Sequence, residues 1–152
     1  MSRTFRASIE DVWASLTESE RTVRWFGSWS GEPGAGRTVQ VQMSFEEGAE
    51  PVPVEIVACD PPSFLAVTTN DATGAWRLEA RLTETDGTTV LDFAQHLDAT
   101  EAVPDTGPGW EYYLDKMVAT HQGDPEPAWD DYYPAMKAYY EDLVAASTPS
   151  AG

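Results

Sequence analysis

The sequence predicts an α+β fold: one antiparallel β-sheet, covered on one face by a single long α-helix near the C-terminus. Three observations predict it. Apolar and polar residues alternate with a period of two through most of residues 38–97, which turns one strand face to a core and the other to water. The alternating segments are joined by turns too short for anything but antiparallel neighbours. Within residues 109–122 the period changes, and Trp110, Leu114, Met117, Val118 and His121 fall at i, i+4, i+7, i+8 and i+11, one stripe of a helix. A sheet with one apolar face needs a second layer, and no other amphipathic stretch is as long.

Taken in order, residues 3–7 alternate weakly and predict a short first strand. Ser8 is placed as a helix N-cap, with Asp11 as the acidic member of an approximate capping box. Ile9, Val12, Trp13 and Leu16 follow at helical spacing. A second short helix, capped by Thr17 or Ser19, runs through Val23, Trp25 and Phe26 to Gly27. Residues 28–36, rich in Gly, Ser and Pro, read as a loop. Val39, Val41, Met43 and Phe45 then share one strand face. A turn at 46–51 leads to a strand at 52–59, where Pro53 marks an edge or a first residue. Asp60-Pro61-Pro62-Ser63 turns the chain into a strand at 64–69. After 70–74, Trp76, Leu78, Ala80 and Leu82 alternate with Arg77, Glu79 and Arg81. The Asp86-Gly87 pair signals a hairpin, and residues 89–97 return with Leu91, Phe93, Gln95 and Leu97 on one face and Val90, Asp92, Ala94 and His96 on the other. That makes about six strands.

Pro108-Gly109 marks the entry to the long helix and Gly123 its exit, with Glu111, Asp115, Lys116 and Gln122 on the outward side. Residues 124–127 are a linker. Asp130 or Asp131 is expected to cap a further helix, with Pro134 in its first turn and Tyr132, Met136, Tyr139 and Leu143 at helical spacing. The expectation is one domain over 1–146, with a C-terminal helical extension at 124–146 and a frayed tail at 147–152.

Composition narrows the partners. The 152 residues carry 26 acidic and 9 basic side chains, a formal charge of -17, which repels nucleic acid and anionic membranes alike. Cys59 stands alone, so neither an intrachain disulfide nor a cysteine-based zinc site can form. The first residues lack the apolar segment of a secretory signal, and no apolar run reaches the length of a membrane span. A cytoplasmic protein is expected.

The order of elements, with Ser8-Ile9-Glu10-Asp11-Val12-Trp13, Trp25-Phe26, Trp76-Arg77-Leu78-Glu79, Asp86-Gly87-Thr88 with Leu91 and Phe93, and Gly109-Trp110 before Leu114, resembles the helix-grip superfamily known as SRPBCC or START-like. Within it, the chain is most similar to the branch named for homologues of the activator of the heat-shock protein 90 ATPase. The resemblance spans residues 1 to 122. It implies a curved sheet gripping the C-terminal helix with an apolar cavity between them. Members bind lipids, sterols, hormones or polyketides, and some act as cyclases or dehydratases. Two features depart from the family: Gln95 stands where a histidine is common, and the tyrosine-rich segment at 129–146 runs past the usual end of the domain.

The residues expected to face the cavity, and so to bind a ligand, are Trp25, Phe26, Trp29, Met43, Phe45, Trp76, Leu78, Phe93, Gln95, Trp110, Tyr113, Leu114, Met117 and His121. Gln95 needs a partner, because a buried amide left unpaired costs about 1–3 kcal/mol. His121 and Tyr113 are the candidates for proton transfer; otherwise the residues reveal no catalytic group. No nucleophile elbow, phosphate-cradling loop or dinucleotide fingerprint is present. No organic cofactor or metal is implied, since the two histidines fall on opposite faces. Three functions stay open: binding of a small hydrophobic or weakly polar ligand, cyclase or dehydratase chemistry in which Gln95, Tyr113 and His121 share a cavity wall, and an interaction module. The last would dock a chaperone or a second copy through Trp129, Tyr132, Tyr133, Tyr139 and Tyr140, although packing of that segment back on the sheet is the expected arrangement.

Overall fold

A computed structural model of the chain describes residues 1–44, 48–71, 74–97 and 103–147, and for residues 70, 71, 74 and 75 the backbone alone. Among the described residues seven strands form one antiparallel sheet: β1 (Ser2–Phe5), β2 (Gly27–Ser30), β3 (Thr38–Met43), β4 (Val52–Asp60), β5 (Phe64–Asp71), β6 (Gly74–Thr85) and β7 (Thr88–His96). Their order is β1-β7-β6-β5-β4-β3-β2. The short helices α1 (Ile9–Thr17) and α2 (Ser19–Thr22) connect β1 to β2, and the long helix α3 (Val103–Gln122) follows the sheet. A 3-10 turn (Trp129–Asp131) and α4 (Lys137–Ser147) complete the chain. This is the helix-grip arrangement. Among the described residues no helix is long and apolar enough to cross a membrane.

Local chemistry accounts for most boundaries. Ser8 caps α1 by accepting the amide N–H of Asp11 at 3.3 Å. The capping box is only half made, because the Asp11 carboxylate turns away to Arg21 at 2.7 Å. Asp86 and Gly87, with φ of 50° and 77°, form the tight turn that sets Thr85 opposite Thr88 and Leu82 opposite Leu91.

Four expectations are corrected. β2 lies where residues 28–36 read as a loop; its four residues pair with β3, Gly27 opposite Met43 and Ser30 opposite Gln40. Gly and Ser disguise it, and only the neighbouring strand makes it one. The second helix is a single turn and does not reach Phe26. α3 begins at Val103 rather than at Pro108-Gly109. Pro104 sits in the first turn, where a missing N–H is harmless, and Pro108 forgoes one hydrogen bond while its ring is fully buried. Lastly, α4 starts at Lys137, leaving Pro134 outside it.

The core is divided. Phe5, Val12, Trp25, Ala80, Leu82, Leu91, Leu114 and Met117 join α1 and α3 to the β1, β6 and β7 end of the sheet. Val39, Val54 and Ile56 form a separate cluster on β3 and β4, backed by Val41, Leu65 and Val67. Space lies between these two clusters. The outward side of α3 is partly covered by the C-terminal extension, and Lys116 is only 2% exposed, near Glu126 at 3.3 Å. The tyrosine-rich segment therefore packs on α3 and not back on the sheet.

Candidate functional site

The space between the clusters is a cavity of about 930 Å³. Its two walls come from opposite periodicities. Period-two alternation on β3, β4 and β5 presents Val39, Val41, Val52, Val54, Ile56, Leu65 and Val67 as an aliphatic wall. The other wall is aromatic and centres on Trp110 of α3. Phe26 stacks on Trp110 with ring centroids 5.7 Å apart, Phe93 lies at 4.5 Å, and Trp76 meets it edge-on at 6.4 Å. Tyr113 and Tyr112 continue the row along the helix to Trp129.

Of the fourteen residues named from sequence, nine line this cavity: Trp25, Phe26, Trp29, Met43, Trp76, Leu78, Phe93, Trp110 and Tyr113. Phe45 lies outside the described residues. Leu114 and Met117 are fully buried in the α3–sheet core, one and two turns further along the helix than Trp110. Gln95 is not in the lining. Its amide oxygen accepts the Trp110 indole N–H at 2.6 Å, which supplies the partner it needs and fixes the Trp110 ring plane.

His121 is elsewhere too. It packs edge-on against Phe5 with centroids 5.4 Å apart, and its buried Nε2 lies 3.3 Å from the Asp11 carboxylate without a hydrogen bond. The crevice there, of about 270 Å³, is bounded also by Ser15, Arg21, Arg24 and Thr120. Gln95, Tyr113 and His121 accordingly do not share a wall, and the trio that motivated cyclase chemistry is dispersed. The Arg21 hydrogen bond holds the Asp11 carboxyl below the usual carboxylate range.

The polar chemistry of the cavity is largely used up by the protein. Trp25 donates its indole N–H to the Ser15 carbonyl, and Trp29 donates to that of Thr17, both at 2.8 Å. With Trp110 bonded to Gln95, three indoles present only carbon faces inward. The ionisable carboxylates of the lining, Glu79 and Asp105, are half-exposed to exposed and face His96 and Lys137, each at 3.3 Å. No lysine or arginine lines the space among the described residues. Pro33, Trp76, Glu79, Asp105 and Trp129 are lining residues that reach solvent, and the cavity opens among them.

Sequence reasoning missed the aliphatic wall, although the alternation that exposed Met43 places Val39 and Val41 on the same face. It also missed Tyr112 and Trp129 as lining. Helical spacing assigns Tyr112 no inward role, and Trp129 reaches the cavity only through the tertiary path of the extension.

That extension is held by a polar cluster on the outer side of α3. Arg3 of β1 pairs with Glu111 and, at 2.7 Å, with Asp115. Tyr140 donates its hydroxyl to Glu111 at 2.5 Å, and Tyr132 donates to Asp115 at 2.7 Å. Burial, then the hydrogen bond to a carboxylate, pushes both phenols well above their ordinary pKa.

Compared with known proteins, residues 6–122 match the model of the family described as Activator of Hsp90 ATPase homolog 1-like protein. The crystal structure of CalU16 from Micromonospora echinospora is similar with a TM-score of 0.78 and 23% identity, over 94% of this chain and 85% of that one. DynU16, a protein of the dynemicin biosynthetic locus, gives 0.68 and 19% over 84% of this chain and 48% of that one. The Aha1 dimer from Colwellia psychrerythraea gives 0.64 and 14% over 79% and 92%. At these identities the likeness shows the fold. No curated protein matches the chain in sequence.

Proposed function

The chain belongs to the Activator of Hsp90 ATPase homolog 1-like family, and from that premise we propose that it binds a small hydrophobic or weakly polar molecule in the cavity between sheet and helix. The observation that carries the reading is the cavity itself: about 930 Å³, within the roughly 300–1,000 Å³ of pockets that enclose drug-sized ligands, with three indole N–H groups already bonded to protein. A ligand there meets carbon surface on both sides, aliphatic on one and aromatic on the other. An anion would find no lysine or arginine among the described lining residues, and burying a charge without a partner is prohibitive. The origin of DynU16 in a biosynthetic locus agrees with a small-molecule role.

Nile red, a neutral dye that brightens in apolar surroundings, tests the reading by fluorescence titration, together with native mass spectrometry of the freshly purified chain. Saturable one-to-one binding is expected, and Val67→Trp, which fills the cavity from the aliphatic wall, abolishes it while the chain stays folded. Binding that persists unchanged in Val67→Trp would place the dye elsewhere and refute the proposal.

A further inference from the structure

We infer that the C-terminal extension is a hinged strap that controls entry to the cavity, with Trp129 as the part that covers the mouth and Tyr132 and Tyr140 as its latch. The inference rests on the ligand-binding reading above and adds the means by which the ligand is admitted and selected.

The family match ends at residue 122, yet Trp129 lines the cavity. Trp129 is placed there from one side by Tyr112 of α3, edge-on at 5.2 Å, and from the other by Tyr133, stacked at 5.9 Å. It is 44% exposed, so it stands between cavity and solvent. Residues 124–128 form no regular structure and follow Gly123 at a positive φ of 74°, a point where the backbone direction changes.

The seat for the strap is built into α3. A Cβ on Gly107 would lie 2.5 Å from the Tyr140 ring, so the missing side chain is the groove that receives that tyrosine. Glu111 and Asp115 follow on the same side and accept the two phenol hydrogen bonds.

Release is feasible because the latch shares its acceptors. Both carboxylates are also held by Arg3, so letting go of Tyr132 and Tyr140 leaves each of them paired, and Lys116, which faces Glu126 of the extension, is uncovered to water as the strap lifts. The buried cluster joining α3 to the sheet contains no residue of the extension. The strap can lift while the cavity walls persist.

Stopped-flow mixing with Nile red tests this on the full chain, in wild type, in the latch variant Tyr132→Phe/Tyr140→Phe, and in Trp129→Ala. The latch variant is expected to raise both association and dissociation rates about tenfold, the factor that about 1.4 kcal/mol of lost closure gives, with less change in Kd. Trp129→Ala is expected to accelerate dissociation most. Amide hydrogen exchange on the wild type supplies a measurement that needs no variant: residues 124–136 are expected to exchange by a faster opening than the second half of α3. Saturable binding with unaltered rates in both variants, or exchange of 124–136 only together with α3, overturns the strap. Absence of saturable Nile red binding by the wild type overturns instead the reading on which it rests.

Discussion

Gly107→Ala puts the seating of the extension to a direct test. The added Cβ would meet Cε1, Cζ and Cδ1 of Tyr140 at 2.5, 2.6 and 2.7 Å, so a whole ring edge must move rather than a flexible tip. Overpacking a buried site costs about 1–3 kcal/mol, and three simultaneous contacts place this case at the upper end, near 3. The alternative is eviction of Tyr140, 6% exposed. It forfeits about 1.5–3 kcal/mol of burial and about 1.5–3 kcal/mol for a hydrogen bond to a charged group, so the shift is the cheaper route. Alanine returns about 1 kcal/mol over glycine in a helix interior. The net expectation is a loss of about 2 kcal/mol, read by urea unfolding followed through far-UV circular dichroism. In a Tyr140→Ala background the ring is absent and the same substitution should stabilise by about 1 kcal/mol. The sign reversal is the diagnostic. If Gly107→Ala is neutral or stabilising in the wild type, or destabilises equally in both backgrounds, the packing argument fails.

Other expected outcomes are as direct. Because burial and carboxylate bonding raise the Tyr132 and Tyr140 pKa above 10.0, the folded chain keeps protons that the unfolded chain sheds. Their stabilisation is complete below pH 10 and declines as pH rises beyond it; alkaline unfolding of Tyr132→Phe/Tyr140→Phe should show a shallower decline, and an unchanged slope would refute the assignment. Asp11 works in the opposite sense: its pKa lies below 3.8 because of the Arg21 hydrogen bond, so its stabilisation is present above that pH and fades as pH falls through and below it. Asp11→Asn should flatten the acid limb of the stability curve, modestly since the pair is part-exposed. Gln95→Leu leaves the Trp110 indole N–H without its acceptor, a loss of about 1–3 kcal/mol in thermal or urea unfolding, and adding Trp110→Phe should not deepen it by the sum of the two single effects.

Particular elements show why some of this was legible from residues and some was not. β6 and β7 were readable because both faces of each strand declare themselves: Leu82 and Leu91 pair inward while Arg81 and Asp92 pair outward. β2 was not readable, since Gly27, Ser28 and Ser30 carry no alternating signal and the strand exists through its bonds to β3. Pro108 misled for a related reason. A proline is a helix boundary by local rule, yet here its ring is buried and the helix continues from Val103. Among the site residues, Trp110 was recognisable from helical spacing, whereas His121, on the same stripe, is carried beyond the cavity to Asp11 and Phe5.

Periodicity and turn chemistry, both local properties of the chain, determined the antiparallel sheet, the covering helix and the aromatic character of what lies between them. The route of the extension was decided in three dimensions. Lys116, Glu111 and Asp115 have the look of a wet helix face, and only the folded arrangement reveals that Tyr132, Tyr140 and Glu126 come back to meet them. The reason is physical. An amphipathic pattern records which residues favour water over carbon, but a carboxylate is satisfied equally by water or by a phenol and a guanidinium, so residue type cannot say which of them it will meet.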